Sequence, residues 1–291
     1  MHMEHIGSSE LILNPDGSVY HINLKPEHIS PNVIFVGDPA RVDRISKHFQ
    51  KIEFSTQKRE FRTVVGHLKG QRFTVISTGI GPDNIDIVIN ELDALVNIDL
   101  KKRIKKEKHT SLNLVRIGTS GSLQQDIPVD SMVLGKYGLG FEGLLHFYKA
   151  DHIFEKELQE AFVKHTNYPK NRSLPYFVKN DNKLESKLLS QEVFSGITAT
   201  AGGFYGPQGR VLRLELDRAD MNQKIESFRF KDLRISNLEM ETSAIYGLSK
   251  LLGHRALSMN AIIANRADLT FSQDPYRAVD RLIEYTLNGL T

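Results

Sequence analysis

Apolar and polar positions along this chain follow two alternating periods. Asn32–Val36 is a compact β-branched run closed by Gly37-Asp38-Pro39, which predicts a buried strand and then a helix from about Ala40 to Phe49. Phe61–Leu68 and Gln71–Ser77 read as paired strands joined by a turn at Lys69-Gly70. Beyond Thr78-Gly79-Ile80-Gly81-Pro82 the period changes, and Ile85, Ile89, Leu92 and Val96 fall on one helical face. Asp83 is the expected cap of that helix, with Asp86 in its first turn. Leu112–Ile117, Ser131–Leu134, Gly196–Ala199 and Leu257–Ala264 read as further strands, the first followed by glycines at 118 and 121 and the last interrupted by Asn260. Helices are predicted over 153–165, over Thr242–Leu252 and from Pro275, whose missing amide hydrogen costs nothing at a first helical position. Strands that end in glycine loops and alternate with amphipathic helices imply an α/β fold with helices on both faces of a sheet. Residues 1–20 are polar and turn-rich around Asn14-Pro15-Asp16-Gly17 and read as an N-terminal extension with a small hairpin or arm, the rest as one domain.

Composition then narrows the chemistry. The chain has no cysteine, so disulfides, thiolate metal sites and cysteine nucleophiles are excluded. Six basic side chains and one acidic one in Lys101–Lys108 exceed the net charge of +3 of all 291 residues, so the remainder is slightly acidic and offers no broad basic face to nucleic acid. That lysine-rich stretch reads as a solvated loop or helix end. The start, Met1-His2-Met3-Glu4, lacks the basic end of a signal peptide, and no apolar run approaches the roughly 20 residues needed to span a bilayer. A cytoplasmic location is the expectation.

Three segments share one design, in which an apolar strand meets small residues and an arginine. In Gly37-Asp38-Pro39-Ala40-Arg41, backbone amides and a guanidinium offer an anion site, although the same turn serves as an ordinary strand-to-helix connection. In Arg116-Ile117-Gly118-Thr119-Ser120-Gly121 the arginine sits in a strand that reads as buried, and a buried guanidinium needs a partner. Structural carboxylates would supply one; so would a phosphate beside the Thr119 hydroxyl. Glycine spacing matches neither a dinucleotide fingerprint nor a nucleoside-triphosphate loop. In Glu239-Met240-Glu241, two carboxylates bracket a methionine at a helix entry; Glu241 suits a pair of vicinal hydroxyls, while Glu239 reads equally as a solvated or capping residue. Gly202–Arg210 reads as a loop whose Gln208 and Arg210 form a recognition pair for a planar polar edge, and Asn265-Arg266 ends another strand with polar groups. No compact His/Asp metal cluster is legible.

Taken in order, Gly37–Arg41, Arg59-Glu60-Phe61, Ser77–Gly81, Arg116–Gly121, Phe204–Arg210, Glu239–Glu241 and Asn265-Arg266 resemble the nucleoside phosphorylase family, which includes uridine phosphorylases and the hexameric purine nucleoside phosphorylases. The resemblance implies a single-domain, three-layer α/β/α sandwich around a central mixed, partly barrel-like sheet over residues 21–291. It implies phosphate at Gly37, Arg41, Arg116 and Thr119, with Arg59 donated across a dimer interface. Ribose would meet Met240, Glu241 and a neighbouring subunit's His21. The base would meet Phe204, Gln208, Arg210, Ile263 and Ala264, with Arg116, Gln208 and Arg210 carrying the catalysis. Glu60 and Ser77 resemble residues bordering a monovalent-cation site, a structural potassium; no other cofactor is implied, and phosphate is a co-substrate. The expected partners are uridine and phosphate, in a homodimer or homohexamer with shared sites. Purine phosphorylases of this family end the last strand with Ser-Asp, where this chain has Ala264-Asn265-Arg266 with Asp268 beyond, so the resemblance points to uridine. The alternatives are a purine nucleoside phosphorylase or a nucleoside hydrolase of the same fold, and a non-catalytic nucleoside-binding protein. Gly206-Pro207, Gly209, the lysine-rich stretch and the first twenty residues depart from the familiar pattern.

Overall fold

The computed structural model describes residues 5–291; Met1–Glu4, on which the reading of the chain start rests, lie outside the described residues. β1 (Asn32–Val36) lies between two apolar layers, which is why its sequence is a continuous apolar run. Val33 and Phe35 face a core shared with α2 (Pro82–Asn97) and α6 (Thr242–Leu251), through Ile85, Ile89, Leu92, Ile245 and Leu248. Ile34 and Val36 face the opposite core, packed by α1 (Pro39–Ser46) and α7 (Pro275–Leu290) through Val42, Ile45, Leu282, Ile283 and Leu287. Helices therefore cover both faces, as the alternation of elements implies. Each buried aliphatic side chain contributes roughly 1.5–3 kcal/mol to that packing.

After α1, β2 (Lys51–Lys58), β3 (Phe61–Leu68) and β4 (Gln71–Ser77) make an antiparallel meander that returns β4 parallel to β1. The sequence pattern misses β2 because it is the sheet's outer strand and mostly exposed. α1 is shorter than the expected span: the amides of His48 and Phe49 turn back to Ile45 and Ser46, and Phe49 leaves the helix to stack on Phe73. Asp83 does not cap α2. Gly81 takes the cap position at φ +98°, a conformation that favours glycine, and Asp83 sits in the first turn.

The lysine-rich stretch is neither a plain loop nor a helix end. β5 (Ile98–Asp99) and β6 (Ile104–Lys105) form a small ladder there. Arg103, at its turn, donates to the carbonyls of Ile6 (2.9 Å), Gly7 (3.0 Å) and Leu11. The N-terminal segment and this insertion thus pack on each other. The turn at Asn14–Gly17 forms as expected, flanked by a Leu13–Val19 bridge, and Val19, Ile22 and Leu24 are buried in the core beside α2.

β7 (Asn113–Ser122) runs beyond the strand predicted over Leu112–Ile117 and through the glycines that follow it. The strand continues through them because parallel β13 (Arg255–Asn265) pairs with it as far as Ser122. β8 (Met132–Gly140) and β10 (Val193–Thr200) also outrun their predicted spans. Between them lie α3 (Lys156–Thr166), β9 (Tyr176–Lys179) and α4 (Asn182–Leu188). α5 (Met221–Ser227), β11 (Arg229–Phe230) and β12 (Leu233–Glu239) follow, and β14 (Thr270–Phe271) pairs with the end of β13. β7 pairs β13, β13 pairs β8, β8 pairs β10, β10 pairs β12, and β12 returns to β7. This five-strand ring is the barrel-like centre, and β1, β4, β3 and β2 extend from it as an open wing.

Candidate active site

A cavity of about 290 Å³ opens where the carboxyl ends of β1, β12 and β13 meet the glycine-containing end of β7, the position at which α/β sheets bind ligands. It gathers Gly37, Arg41, Arg116, Thr119, Phe204, Gln208, Arg210, Met240, Glu241, Ile263 and Ala264, which are spread over more than two hundred residues of sequence.

Arg116 is the best-anchored group. Its Nη2 donates to Glu241 Oε2 at 2.5 Å and lies 3.4 Å from Glu239 Oε2, and its Nη1 donates to Asn260 Oδ1 at 2.7 Å. The carboxylate reading of the buried arginine is met, and Arg116 also lines the cavity together with Thr119. Burial alone would lower its pKa, but Glu241 and Glu239 together outweigh that and hold the guanidinium charged. Arg41, half-buried one turn into α1, has its pKa pushed down to about 10, first by burial and next by the repulsion of Arg116. Two guanidinia that line one cavity and repel each other concentrate positive charge there, which can attract an anion.

Glu239 is a cap, not a solvated residue. Its carboxylate accepts the amides of Glu241 and Thr242 and the Thr200 hydroxyl (2.7 Å), so it closes the start of α6, and burial pushes its pKa up. Glu241, the next carboxylate, accepts the Gly81 amide at 2.9 Å as well as Arg116. The unusual φ of Gly81 delivers that amide, and one lone pair on each Glu241 oxygen remains for hydroxyl donors.

The third wall is the loop over residues 201–210. Phe204 is half exposed, and the Arg210 guanidinium lies 3.8 Å from its ring centroid. Arg210 Nη1 donates to Gln208 Oε1 at 2.6 Å, which fixes the orientation of the Gln208 amide. Burial, then Arg266, lowers the pKa of Arg210. Arg266 donates to the Gln208 carbonyl and ties the loop to β13. Asn265 is not a free recognition group: its amide nitrogen donates to the carbonyls of Gln124 and Ile127, both at 3.0 Å.

Four expected residues do not reach this cavity in the single chain. His21 contacts Glu91 through Nδ1 at 2.6 Å, and Arg59 stands exposed at the β2–β3 turn with φ +54°. Ser77 Oγ donates to the Glu60 carbonyl (2.5 Å) and accepts the Arg62 amide (2.8 Å), away from the cavity. Sequence reasoning missed Ile80, Leu238 and Phe271, apolar side chains at the cavity wall with no polar signature to flag them.

A compact His/Asp cluster does exist, contrary to the sequence reading. Ligand atoms of Asp93, His109 and His254 lie within 4.8 Å of one another, brought together from α2, the approach to β7 and the end of α6. Its hydrogen bonding does not suit a metal. The Leu112 amide donates to His254 Nδ1 (3.2 Å), which places the ring proton on Nε2; that nitrogen is 3.2 Å from Asp93 Oδ1 but makes no hydrogen bond. A ligating histidine has the reverse arrangement, donating through its outer nitrogen. Among the described residues no helix is long and apolar enough to cross a membrane.

Comparison with known proteins identifies the family and the fold. The family model described as the phosphorylase superfamily matches residues 31–286. The crystal structure of a Trypanosoma brucei nucleoside phosphorylase, described as showing uridine phosphorylase activity, superposes with a TM-score of 0.87 at 29% identity, covering 96% of this chain and 99% of that one. A uridine phosphorylase of Thermococcus kodakarensis is 28% identical over 277 residues, 93% of this chain and 86% of its own. A DeoD-type purine nucleoside phosphorylase of Listeria welshimeri is 24% identical over 240 residues, 82% of this chain and 84% of its own. The chain belongs to the phosphorylase superfamily and is related to its uridine and purine nucleoside phosphorylases.

Proposed function

We propose that this protein is a uridine phosphorylase, a pentosyltransferase that reversibly converts uridine, and deoxyuridine, with phosphate into uracil and (deoxy)ribose 1-phosphate in cytoplasmic pyrimidine salvage. The observation that carries the reading is the gathering of three kinds of group in one cavity: Arg41, Arg116 and Thr119, then Met240 and Glu241, then Phe204, Gln208 and Arg210. Phosphate, ribose and base call for those three kinds of group in turn. The arginines orient phosphate toward C1′ while Glu241 holds the sugar hydroxyls, so much of the catalysis is positioning. As the glycosidic bond breaks, negative charge moves to the base, where Arg210 and Gln208 stabilise it.

Arg210 also bears on which base fits. A guanidinium only donates, so it suits the second carbonyl of uracil and opposes the amino group of cytosine. Leaving such a group without a partner costs roughly 1–3 kcal/mol, about 5- to 150-fold in kcat/KM. A purine reading has less support, because the Asp268 carboxylate is committed to the Thr270 amide (3.1 Å) and hydroxyl (2.7 Å) and does not line the cavity.

The site is completed by a second copy. His21 and Arg59 come from the partner across a two-fold axis, which repeats each donated contact reciprocally. Glu60 and Ser77 would border a structural potassium at that interface; the Ser77 hydroxyl and Glu60 carboxylate are oxygen donors of the right kind, doubled by the axis. The deciding assay follows uridine, deoxyuridine, cytidine, inosine and adenosine chromatographically with and without phosphate. Uridine cleavage that needs phosphate and yields ribose 1-phosphate is expected. Equal cleavage without phosphate makes the protein a hydrolase, preference for inosine makes it a purine phosphorylase, and binding without turnover leaves a nucleoside-binding protein.

A further inference from the structure

Asn260 is the polar interruption in the apolar run of β13, and it is fully buried. It lies in register opposite Gly118 on the neighbouring strand. Arg116 and Gly118 are two residues apart on β7 and share a face of it. The Arg116 side chain folds along the strand over Gly118 so closely that a β-carbon there would collide with its guanidinium. The end of that side chain then reaches Asn260 Oδ1 at 2.7 Å, while the Asn260 amide nitrogen donates to Ser258 Oγ (3.3 Å), which in turn accepts the Thr242 hydroxyl (2.9 Å).

We propose that Gly118 and Asn260 form a seat that positions Arg116 for phosphate, Gly118 by having no side chain and Asn260 by accepting one guanidinium edge. The proposal rests on reading Arg116 as a phosphate-binding residue. Its physical basis is charge. Arg116 already faces two carboxylates, Glu239 and Glu241. A third would compete with phosphate for the same guanidinium, whereas a neutral amide oxygen fixes the side chain without offsetting its charge. Two hydrogen bonds, to Glu241 and Asn260, engage two of its five N–H donors and leave others free for an anion. Asn260 touches Arg116 in this account, not substrate, so it is a positioning residue.

The test compares phosphate KM, nucleoside KM and kcat for the parent, Arg116→Ala, Asn260→Ala, Asn260→Asp and Gly118→Ala, with the thermal shift induced by inorganic phosphate as a binding readout. Asn260→Ala should raise phosphate KM about tenfold or more, the effect of losing a buried hydrogen bond to a charged group, with nucleoside KM within about twofold. Gly118→Ala should act in the same direction. Asn260→Asp supplies the signature that a merely structural role would not move. While protonated, its carboxyl matches the amide, with a carbonyl for Arg116 and a hydroxyl for Ser258. Its phosphate KM relative to the parent should therefore be near one at low pH and climb as the new carboxyl ionises. If Asn260→Ala does not fold, the pH profile of Asn260→Asp decides alone. Phosphate KM unchanged in Asn260→Ala, or a pH-independent ratio in Asn260→Asp, overturns the seat when Arg116→Ala does lose phosphate. Arg116→Ala with parent-like phosphate KM overturns instead the reading on which the seat rests.

Discussion

The two ends of the cavity are built in opposite ways. At the Arg116 end, the functional side chains other than Arg41 sit on or next to a strand of the central ring, and Arg116, Glu239, Glu241 and Asn260 are buried and bonded to one another. At the Phe204 end the groups ride on a loop. Phe204 and Tyr205 are half exposed, Val211, Leu212 and Leu214 beyond them are exposed, and Arg210 is held mainly by Phe204 and Gln208 of the same loop. A transferring group needs fixed charges at fixed distances, which a sheet supplies. Recognition of the base tolerates adjustment, which a loop supplies. The difference predicts where substitutions act on chemistry and where they act on choice.

The largest effect is expected at the rigid end. Arg116→Ala should lower kcat/KM about 10²-fold or more, roughly 3 kcal/mol of transition-state stabilisation, as measured by steady-state kinetics at varied phosphate. A smaller loss there than at Phe204 or Gln208 would invert the comparison.

Mixing Arg59→Ala subunits with Arg116→Ala subunits tests whether that end is completed by a second chain. In each heterodimer one site should receive both defects and the other none, so activity returns to one site of two. Verified subunit exchange without recovery, or full activity of a monomer by light scattering, means that Arg59 is not donated.

At the adaptable end, Gln208→Ala should cost about tenfold in kcat/KM for the nucleoside, the size of one net hydrogen bond to a substrate. Phosphate KM should stay within about twofold, since the proposed function assigns Gln208 to the base and Arg116 to phosphate. A parallel rise in both constants would show the two ends to be coupled.

The smallest effect lies on the wing, away from both ends. Hydrogen bonds from Arg72 (2.8 Å) and His67 (2.6 Å) hold the Glu53 carboxyl down at about 2. A carboxyl with a depressed folded-state pKa contributes stability above its unfolded value, and that contribution disappears as pH falls through the folded one. Glu53→Gln should therefore lower the Tm slightly at neutral pH, and the gap from the parent should close between about pH 4.5 and 2. Activity at neutral pH should not change. A gap that widens on acidification would assign the pair the wrong sign.

Much of this molecule is legible in the sequence, for a local reason. The period of apolar residues records which face of an element is buried, so β3 and β4 emerge with their observed bounds, and the helices over α2, α6 and α7 emerge at their places. The glycine–arginine segments at strand ends mark most of the cavity wall in advance. Partners are another matter, because they are set by pairing between distant parts of the chain. Only the register of β13 against β7 carries the strand through Gly118 and Gly121 and places Asn260 against Arg116. Only the contact with Arg210 orients the Gln208 amide, and only the packing of α2 against the end of α6 assembles Asp93, His109 and His254. The sequence by itself determined which residue types stand at the ends of which strands. The tertiary structure decided which of them touch, because a hydrogen bond between residues 144 positions apart depends on the fold and leaves no local period to read.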